Sequence, residues 1–206
     1  MNRCVIIAGA DINNYENAKK YLKYDDFIIC CDCGLRHLQK LNVKPNLIVG
    51  DFDSHKNPHL PVETIVLPCE KDDTDTGFAV KEALKRGAND FLFLGVIGNR
   101  FDHSFANISI LLMLDTLGKS ALAIDDFSEL QIISSQKAFI SDEFSFFSLL
   151  NVSGTAEGIS IKNAKYPLEN AIIKSEDQYG ISNQVLPNQI AEVSIQKGRL
   201  LLIRVK

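Results

Sequence analysis

The chain has 206 residues, of which 46% are hydrophobic and 23% are charged. This composition is that of an ordinary globular protein, and it excludes a disordered chain, a collagen-like fibre and a small disulfide-stapled domain. The formal net charge of −4 gives no global basic field that would attract nucleic acid or anionic lipid. The longest apolar stretches, 91–98 and 108–114, are much shorter than the ~20 residues of a membrane-spanning helix.

The cysteines indicate a reducing compartment. There are five of them, an odd number, and three fall within residues 30–33, which makes a poor disulfide framework. Their spacing is not that of a zinc site, so they are interpreted as buried or incidental thiols. The apolar part of residues 1–10 is at the lower limit for a signal peptide and is interpreted as a buried strand. We therefore expect a cytoplasmic protein.

Residues 1–127 alternate short apolar runs with amphipathic segments of helical periodicity. The runs are apolar throughout, which is typical of strands whose two faces are both covered. Strands separated by helices of this length predict βαβ units, and hence an α/β domain with a mostly parallel sheet. The predicted strands are Cys4–Ala8, Phe27–Cys31, Leu47–Val49, Thr64–Leu67, Phe91–Gly95 and Ala121–Ile124, and the predicted helices are Gly34–Leu41, Thr76–Arg86 and Ser104–Leu117.

The pattern changes near Phe127, beyond which no convincing amphipathic helix is present. Residues 128–206 instead contain short apolar runs separated by clusters of Ser, Asn, Gly and Pro. Such a pattern predicts a C-terminal antiparallel β-sandwich or barrel domain. The predicted strands are Gln131–Ile133, Phe144–Leu150, Gly158–Ile161, Ala171–Ile173, Ile190–Ile195 and Leu200–Val205.

The first candidate site motif is Gly50-Asp51-Phe52-Asp53-Ser54, which directly follows a predicted strand. In an extended backbone, residues i and i+2 point the same way, so Asp51 and Asp53 are expected to direct two carboxylates at one place. Two close carboxylates repel unless a cation compensates them, and Mg²⁺ bound by carboxylates and substrate phosphates is a common arrangement. Taken alone, the motif is equally well interpreted as an acidic turn.

A second acidic motif, Lys71-Asp72-Asp73-Thr74-Asp75, follows another predicted strand and precedes a helix. Helix capping explains one or two of these acids, since Thr74 or Asp75 can satisfy free backbone amides. It does not explain three acids beside a lysine. A helix start also offers amides to a phosphate, and Lys71 can act as a point charge for one.

A third motif runs from Gly95 to His103, again between a predicted strand and a helix. Gly95 and Gly98 permit close approach of a phosphate, and the guanidinium of Arg100 suits phosphoryl oxygens. The role of Asp102 stays open between ligand, base and helix cap. On its own, His103 is more readily interpreted as structural than as catalytic.

A fourth motif, Asp32-Cys33-Gly34, follows the predicted strand Phe27–Cys31. All four motifs therefore follow the carboxyl ends of strands in one predicted sheet, where open α/β sheets bind their ligands. Several carboxylates, a few cations and glycine-lined turns together indicate a site for a polyphosphate and its metal. The P-loop and protein-kinase signatures are both absent from the sequence.

This ordered set of motifs resembles the thiamine pyrophosphokinase family. The resemblance also covers Pro45-Asn46-x-Ile48 before Gly50, and Lys165-Tyr166-Pro167-Leu168 and Gly180-Ile181-Ser182-Asn183 late in the chain. It implies an α/β domain followed by a β-sandwich, and transfer of a pyrophosphoryl group from ATP to the hydroxyl of thiamine with release of AMP. It further implies Mg²⁺ as cofactor and a homodimer in which thiamine lies between the α/β domain of one subunit and the sandwich of the other.

With the resemblance, the motifs give specific expectations for the site. A related pterin pyrophosphokinase and a non-catalytic sensor of nucleotide or thiamine remain the alternative functions. The expected catalytic residues are Asp53, Asp75, Arg100 and Asp102; the expected ATP-binding residues are Asp32, Gly34, Lys71, Asp72, Thr74, Gly98, Arg100 and His103; the expected thiamine-binding residues are Tyr166, Ser182 and Asn183; and the expected metal ligands are Asp51, Asp53 and Asp75.

Overall fold

The structure is a computed structural model that describes residues 2–53, 59–70 and 72–206. The contacts within it divide the chain into two units, Met1–Asp126 and Phe127–Lys206. Ser54 and Lys71, which belong to two of the predicted motifs, lie outside the described residues. None of the helices in the described ranges is long and apolar enough to cross a membrane.

The first unit contains a parallel ladder of strands in the order β4-β3-β2-β1-β5-β6. Every neighbouring pair in this ladder is parallel, as predicted. Chain order reverses direction at β1, because β2 to β4 lie on one side of it and β5 and β6 on the other. The strands are β1 (Arg3–Ile7), β2 (Phe27–Cys31), β3 (Leu47–Gly50), β4 (Glu63–Val66), β5 (Asp90–Leu94) and β6 (Ser120–Ile124).

The central strands of this ladder are buried on both faces. All four residues of β3 are buried, and four of the five residues in each of β1, β2 and β5 are buried. Burial of uninterrupted apolar runs accounts for the parallel pairing that the sequence predicted. The strand β4 differs because it lies at the edge of the ladder, and its Val66 is 63% exposed.

In the residues that the structure describes, four α-helices and one 3-10 helix connect these strands. The predicted helix Gly34–Leu41 is instead a 3-10 helix, Asp32–His37, followed by one α-helical turn. Gly34 has poor α-helical propensity, and short connecting helices commonly take the 3-10 form. Thr74 caps the longer helix that follows it, because its Oγ1 accepts a hydrogen bond from Gly77 N at 3.1 Å. The α-helices are α1 (Tyr15–Lys19), α2 (Leu38–Leu41), α3 (Asp75–Lys85) and α4 (Phe101–Thr116).

The second unit is an antiparallel β-sandwich, as predicted. One sheet has the strand order β7-β13-β9 and the other β11-β10-β12-β8. Apolar side chains from both sheets, among them Ile140, Phe147, Ile159 and Leu202, form one buried cluster. The strand β8 was not predicted. The strands are β7 (Ser128–Ile133), β8 (Ala138–Ser141), β9 (Phe146–Asn151), β10 (Thr155–Lys162), β11 (Leu168–Lys174), β12 (Ile190–Ser194) and β13 (Leu200–Val205).

Candidate functional site

A cavity of about 540 Å³ lies in the first unit, lined by residues that follow β1, β2, β3 and β5 and by the first turns of α3 and α4. The strand order reverses between β1 and β5, and open α/β sheets bind ligands in the crevice at such a point, beyond the carboxyl ends of the strands. The cavity is therefore where the fold predicts a ligand.

Three carboxylates meet in this cavity. Asp32, Asp51 and Asp75 each offer one oxygen atom, and these atoms all lie within 4.8 Å of one another. Asp32 begins the 3-10 helix after β2, Asp51 follows β3, and Asp75 is the first residue of α3. At this separation and an effective dielectric constant near 20, each like-charged pair costs roughly 3 kcal/mol. A bound cation would remove this repulsion.

The donor set suits a hard divalent cation. All three donors are carboxylate oxygens, which are the ligands that Mg²⁺ and Ca²⁺ prefer. The neighbouring thiol of Cys31 also lines the cavity, but burial, together with Cys30, Asp75 and Asp32, raises its pKa well above its usual range. Cys31 is not part of the group of donor atoms that lie within 4.8 Å of one another. The residues present therefore fit an oxygen-ligated ion such as Mg²⁺.

Because residue 50 is glycine, Asp32 can lie close to the end of β3, next to Asp51. A Cβ atom there would lie 2.5 Å from Cβ and 3.3 Å from the backbone nitrogen of Asp32. Only 3% of Asp32 is exposed, and its Oδ1 accepts a hydrogen bond from Cys33 N. The carboxylate of Asp32 is thus held in place beside the end of β3.

The structure changes the interpretation of the Asp51–Asp53 segment. The strand β3 ends at Gly50, and Phe52 has a φ angle of 57°, in the left-handed region. The extended-backbone prediction is therefore wrong here, because a residue with this φ turns the chain. Asp53 lines the cavity but lies outside the group of three, and its backbone nitrogen donates to Asp51 Oδ1 at 3.2 Å.

The loop after β5 forms another wall of the cavity and is held by α4. Gly98 N donates to Ser104 Oγ at 3.0 Å, and Asn107 Nδ2 donates to Val96 O at 2.7 Å. Gly95 has a φ angle of +64°, and a Cβ atom there would lie 2.5 Å from Ala8 O. Sequence reasoning missed the two polar side chains on α4, although Ser104 and Asn107 share the 3-residue spacing of one helical face.

Arg100 and Asp102 form a local pair at the start of α4. Arg100 donates from Nε to Asp102 Oδ1 at 2.9 Å and from Nη2 to Oδ2 at 2.7 Å. This hydrogen bonding holds the pKa of Asp102 well below its usual range and raises that of Arg100. Arg100 and His103 line the cavity, and Asp102 is an exposed partner of the guanidinium.

The remaining predicted ATP-binding residues have other surroundings. Gly34 is buried against the backbone of Ile7, Thr74 caps α3, and Asp72 is exposed. Among the described residues, Gly34, Asp72 and Thr74 are not part of the cavity lining.

Arg36 is a cavity residue that sequence reasoning missed. Its Nη2 donates to Gly9 O and, at 2.8 Å, to Asp11 Oδ1. Its contacts at Gly9 and Asp11 are distant in the sequence, so no local spacing indicated it.

The predicted thiamine-binding residues lie in the sandwich unit and differ in their burial. Asn183 is 4% exposed; its Oδ1 accepts from Tyr166 N at 3.0 Å and from Gln184 N at 2.9 Å, and its Nδ2 donates to Tyr166 O at 2.7 Å. Ser182 is exposed and has a φ angle of 57°. The ring of Tyr166 is exposed, with Lys165 Nζ 5.6 Å from its centroid. Asn183 therefore holds a turn that displays Tyr166 and Ser182.

Comparison with known proteins assigns both units to the same protein family. Residues 18–122, about half of the chain, match a family model described as the catalytic domain of thiamin pyrophosphokinase. Residues 132–200 match a model described as the vitamin B1 binding domain of thiamin pyrophosphokinase. The chain therefore belongs to the thiamin pyrophosphokinase family, whose members are kinase-type transferases.

Individual relatives agree with this assignment. A thiamine pyrophosphokinase from Bacillus subtilis (strain 168) is 26% identical over 97% of this chain and 96% of its own length. A crystal structure of thiamine pyrophosphokinase from Bacillus subtilis superposes with a TM-score of 0.87 at 24% identity, covering 100% of this chain and 99% of that one. A thiamin pyrophosphokinase from Candida albicans has the same fold, with a TM-score of 0.76 at 18% identity, covering 100% of this chain and 89% of that one.

Proposed function

We propose that this protein transfers a pyrophosphoryl group from ATP to the hydroxyl of thiamine, giving thiamine diphosphate and AMP. The observation that carries the proposal is the group of three carboxylates in the crevice of an α/β unit that matches a thiamin pyrophosphokinase catalytic domain. The match of the second unit to a vitamin B1 binding domain supports thiamine as the acceptor.

Asp32, Asp51 and Asp75 would hold Mg²⁺, and Asp53 beside them would serve as a further ligand or as a base. When bound, the ion would offset the negative charge of the triphosphate, which these carboxylates alone would repel. Arg100, Gly98 and His103, which also line the cavity, would align the phosphates. Reactions of this type require mainly alignment and charge compensation from the protein. Lys71 remains a predicted phosphate contact.

In the proposed step, the thiamine hydroxyl oxygen bonds to the β-phosphorus of ATP while the bond from that phosphorus to the α,β-bridging oxygen breaks. The bridging oxygen leaves with AMP, and the hydroxyl loses its proton. We assign that proton to Asp53, because Asp53 lines the cavity whereas Asp102 is occupied by two hydrogen bonds from Arg100. A base must lie within reach of the proton that it takes.

On the thiamine side, we propose that Tyr166 and Ser182 contact the vitamin and that Asn183 contributes both to this contact and to the turn that presents them. We further propose a homodimer, the assembly that the family resemblance implies. A cytoplasmic location stays a prediction, which rests on the five free cysteines.

The test is one incubation of the purified protein with ATP, Mg²⁺ and thiamine, followed by separation of AMP and thiamine diphosphate. Equal amounts of the two products are expected, and none with EDTA in place of Mg²⁺. A hydroxymethyl pterin in place of thiamine should release no AMP. Pterin-dependent AMP release would identify a pterin pyrophosphokinase, and binding of both substrates without AMP would identify a sensor.

A further inference from the structure

Arg36 presents a fixed guanidinium to the cavity. Its Nη2 donates to Gly9 O and to Asp11 Oδ1, the latter at 2.8 Å, and its Nε lies 3.3 Å from His37 Nε2. Both hydrogen bonds come from Nη2, and Nη1 makes none to any residue that the structure describes, so it can serve another partner. A side chain tied at several points loses little conformational freedom when it binds a ligand.

A buried histidine supports this arrangement. His37 is 2% exposed; its Nδ1 lies 2.7 Å from the hydroxyl of Tyr15, and its Nε2 lies 3.0 Å from Ala10 O. A neutral ring that accepts from the Tyr15 hydroxyl and donates to the Ala10 carbonyl satisfies both contacts. His37 thus joins α1 and the 3-10 helix to the loop after β1, against which Arg36 is held.

The ion pair of Arg36 with Asp11 does not explain this arrangement. The two side chains are 41% and 62% exposed, and exposed pairs of this kind contribute little to stability. The guanidinium also donates to the backbone oxygen of Gly9, a contact that would remain if the ion pair were lost.

The strand order places Arg36 between two parts of the proposed phosphate site. It contacts the residues that follow β1, and β1 lies between β2, which Asp32 follows, and β5, which the glycine loop follows. A polyphosphate that reaches from the carboxylate group to the glycine loop would pass the end of β1. Of the two arginines that line the cavity in the described part of the chain, Arg100 is 72% exposed and paired with Asp102.

We propose that Arg36 binds a phosphate group of the nucleoside triphosphate. This inference rests on the proposed function, since it names one more contact to the same substrate. A guanidinium suits phosphoryl oxygens because its nitrogens match their geometry in pairs, and such charge-assisted hydrogen bonds are the stronger kind.

The test measures binding of the Mg²⁺ complex of α,β-methylene ATP, which cannot undergo the proposed cleavage, by calorimetry. Arg36→Gln should weaken binding about 10-fold to 100-fold, the range of a lost charge-assisted hydrogen bond. Arg36→Lys should lie between this variant and the wild type, because it keeps the charge and loses the paired geometry. In turnover assays both should raise the KM for ATP and leave the KM for thiamine unchanged.

Asp11→Asn is the matched control, because it removes the ion pair and keeps the guanidinium. It should bind the analogue within about threefold of the wild type, or more tightly. Equal losses in Arg36→Gln and Asp11→Asn would overturn the inference, as would an Arg36→Gln or Arg36→Lys variant that binds like the wild type. Failure of the proposed function would be recognised separately, because the wild type itself would then make no AMP from ATP and thiamine.

Discussion

Single residues decide which carboxylates meet in the cavity. Asp32 belongs to the group because Gly50 leaves room for it and Cys33 N fixes its carboxylate. Asp53 lies outside the group because Phe52, one residue earlier, adopts a left-handed conformation. A bulky residue there is an outlier that costs on the order of 1–3 kcal/mol, and such strain is concentrated at functional sites.

His37 should make the free energy of unfolding depend on pH below about 6.5, above the range in which carboxylates titrate. Burial, and then the charge of Arg36, lower its pKa below the ordinary value of 6.5. The unfolded chain therefore takes up a proton at this residue below about pH 6.5, while the folded chain does so only at lower pH. The free energy of unfolding should fall as the pH drops from 6.5 toward 5.

Urea unfolding at pH 7.5 and pH 5.2 checks this, with His37→Gln as the variant. The fall in unfolding free energy between the two pH values should be smaller in the variant. Carboxylates whose pKa is lowered, such as Glu63 hydrogen-bonded to Arg86, lose their stabilisation only below their ordinary value of 4.5. An undiminished fall in His37→Gln would show that another group is responsible.

At the scale of elements, the contact between the end of β3 and the 3-10 helix determines where Asp32 lies relative to the other two carboxylates. Gly50→Ala would place a Cβ atom 2.5 Å from Cβ of Asp32, so that one of the two must shift. We expect a loss of stability of about 1–3 kcal/mol, as for other overpacked sites. We also expect a loss of Mg²⁺-dependent activity of at least about tenfold, because a shift of this size misplaces a catalytic group.

Gly118→Ala is the control for stability alone. Gly118 has a φ angle of +68°, with nothing within 4 Å of an added Cβ atom, so alanine there should cost roughly 1–2 kcal/mol. Activity of this variant at a temperature where it is folded should match the wild type. A fully active Gly50→Ala protein would show that the position of Asp32 is not important.

Substitutions at Ser182 and Asn183 should have different effects, one on thiamine binding and the other on the stability of the fold. The side chain of Asn183 satisfies Tyr166 N and Gln184 N, so Asn183→Ala should lower stability by about 2–3 kcal/mol through the donors left buried. Ser182 is exposed and its backbone nitrogen makes the bond to Ser148, so Ser182→Ala should change stability by less than about 0.5 kcal/mol.

Thermal unfolding and steady-state kinetics measure the two effects. Ser182→Ala should raise the KM for thiamine and leave the KM for ATP unchanged. A Ser182→Ala protein with equal changes for both substrates would contradict the placement of this turn at the thiamine site.

At the scale of the whole molecule, the sequence predicts the architecture because burial dominates it. The apolar runs that became β1, β2, β3 and β5 have no polar face, so they are stable only where both faces are covered. The same pattern places the four motifs at strand ends, which predicts their convergence. The short strand β8 was not predicted in this way, because only two of its four residues are buried.

The composition of the site is less predictable than its location. Asp32 rather than Asp53 joins the other carboxylates because of the φ angle of Phe52 and the space beside Gly50. Neither feature can be predicted from the spacing of residues in the sequence. Arg36 was missed for a related reason, since its anchors at Gly9 and Asp11 are distant in sequence and meet it only after folding.

The central claim is that the carboxylates of this cavity form a magnesium site for pyrophosphoryl transfer. The most direct measurement is the rate of AMP formation from ATP and thiamine as a function of Mg²⁺ concentration, for the wild type, Asp32→Asn and Asp75→Asn. We predict that the wild type requires Mg²⁺ and that each folded variant loses about 100-fold or more of this rate, or needs far more Mg²⁺ to reach it. Folded variants with wild-type rates and wild-type Mg²⁺ dependence would contradict the account.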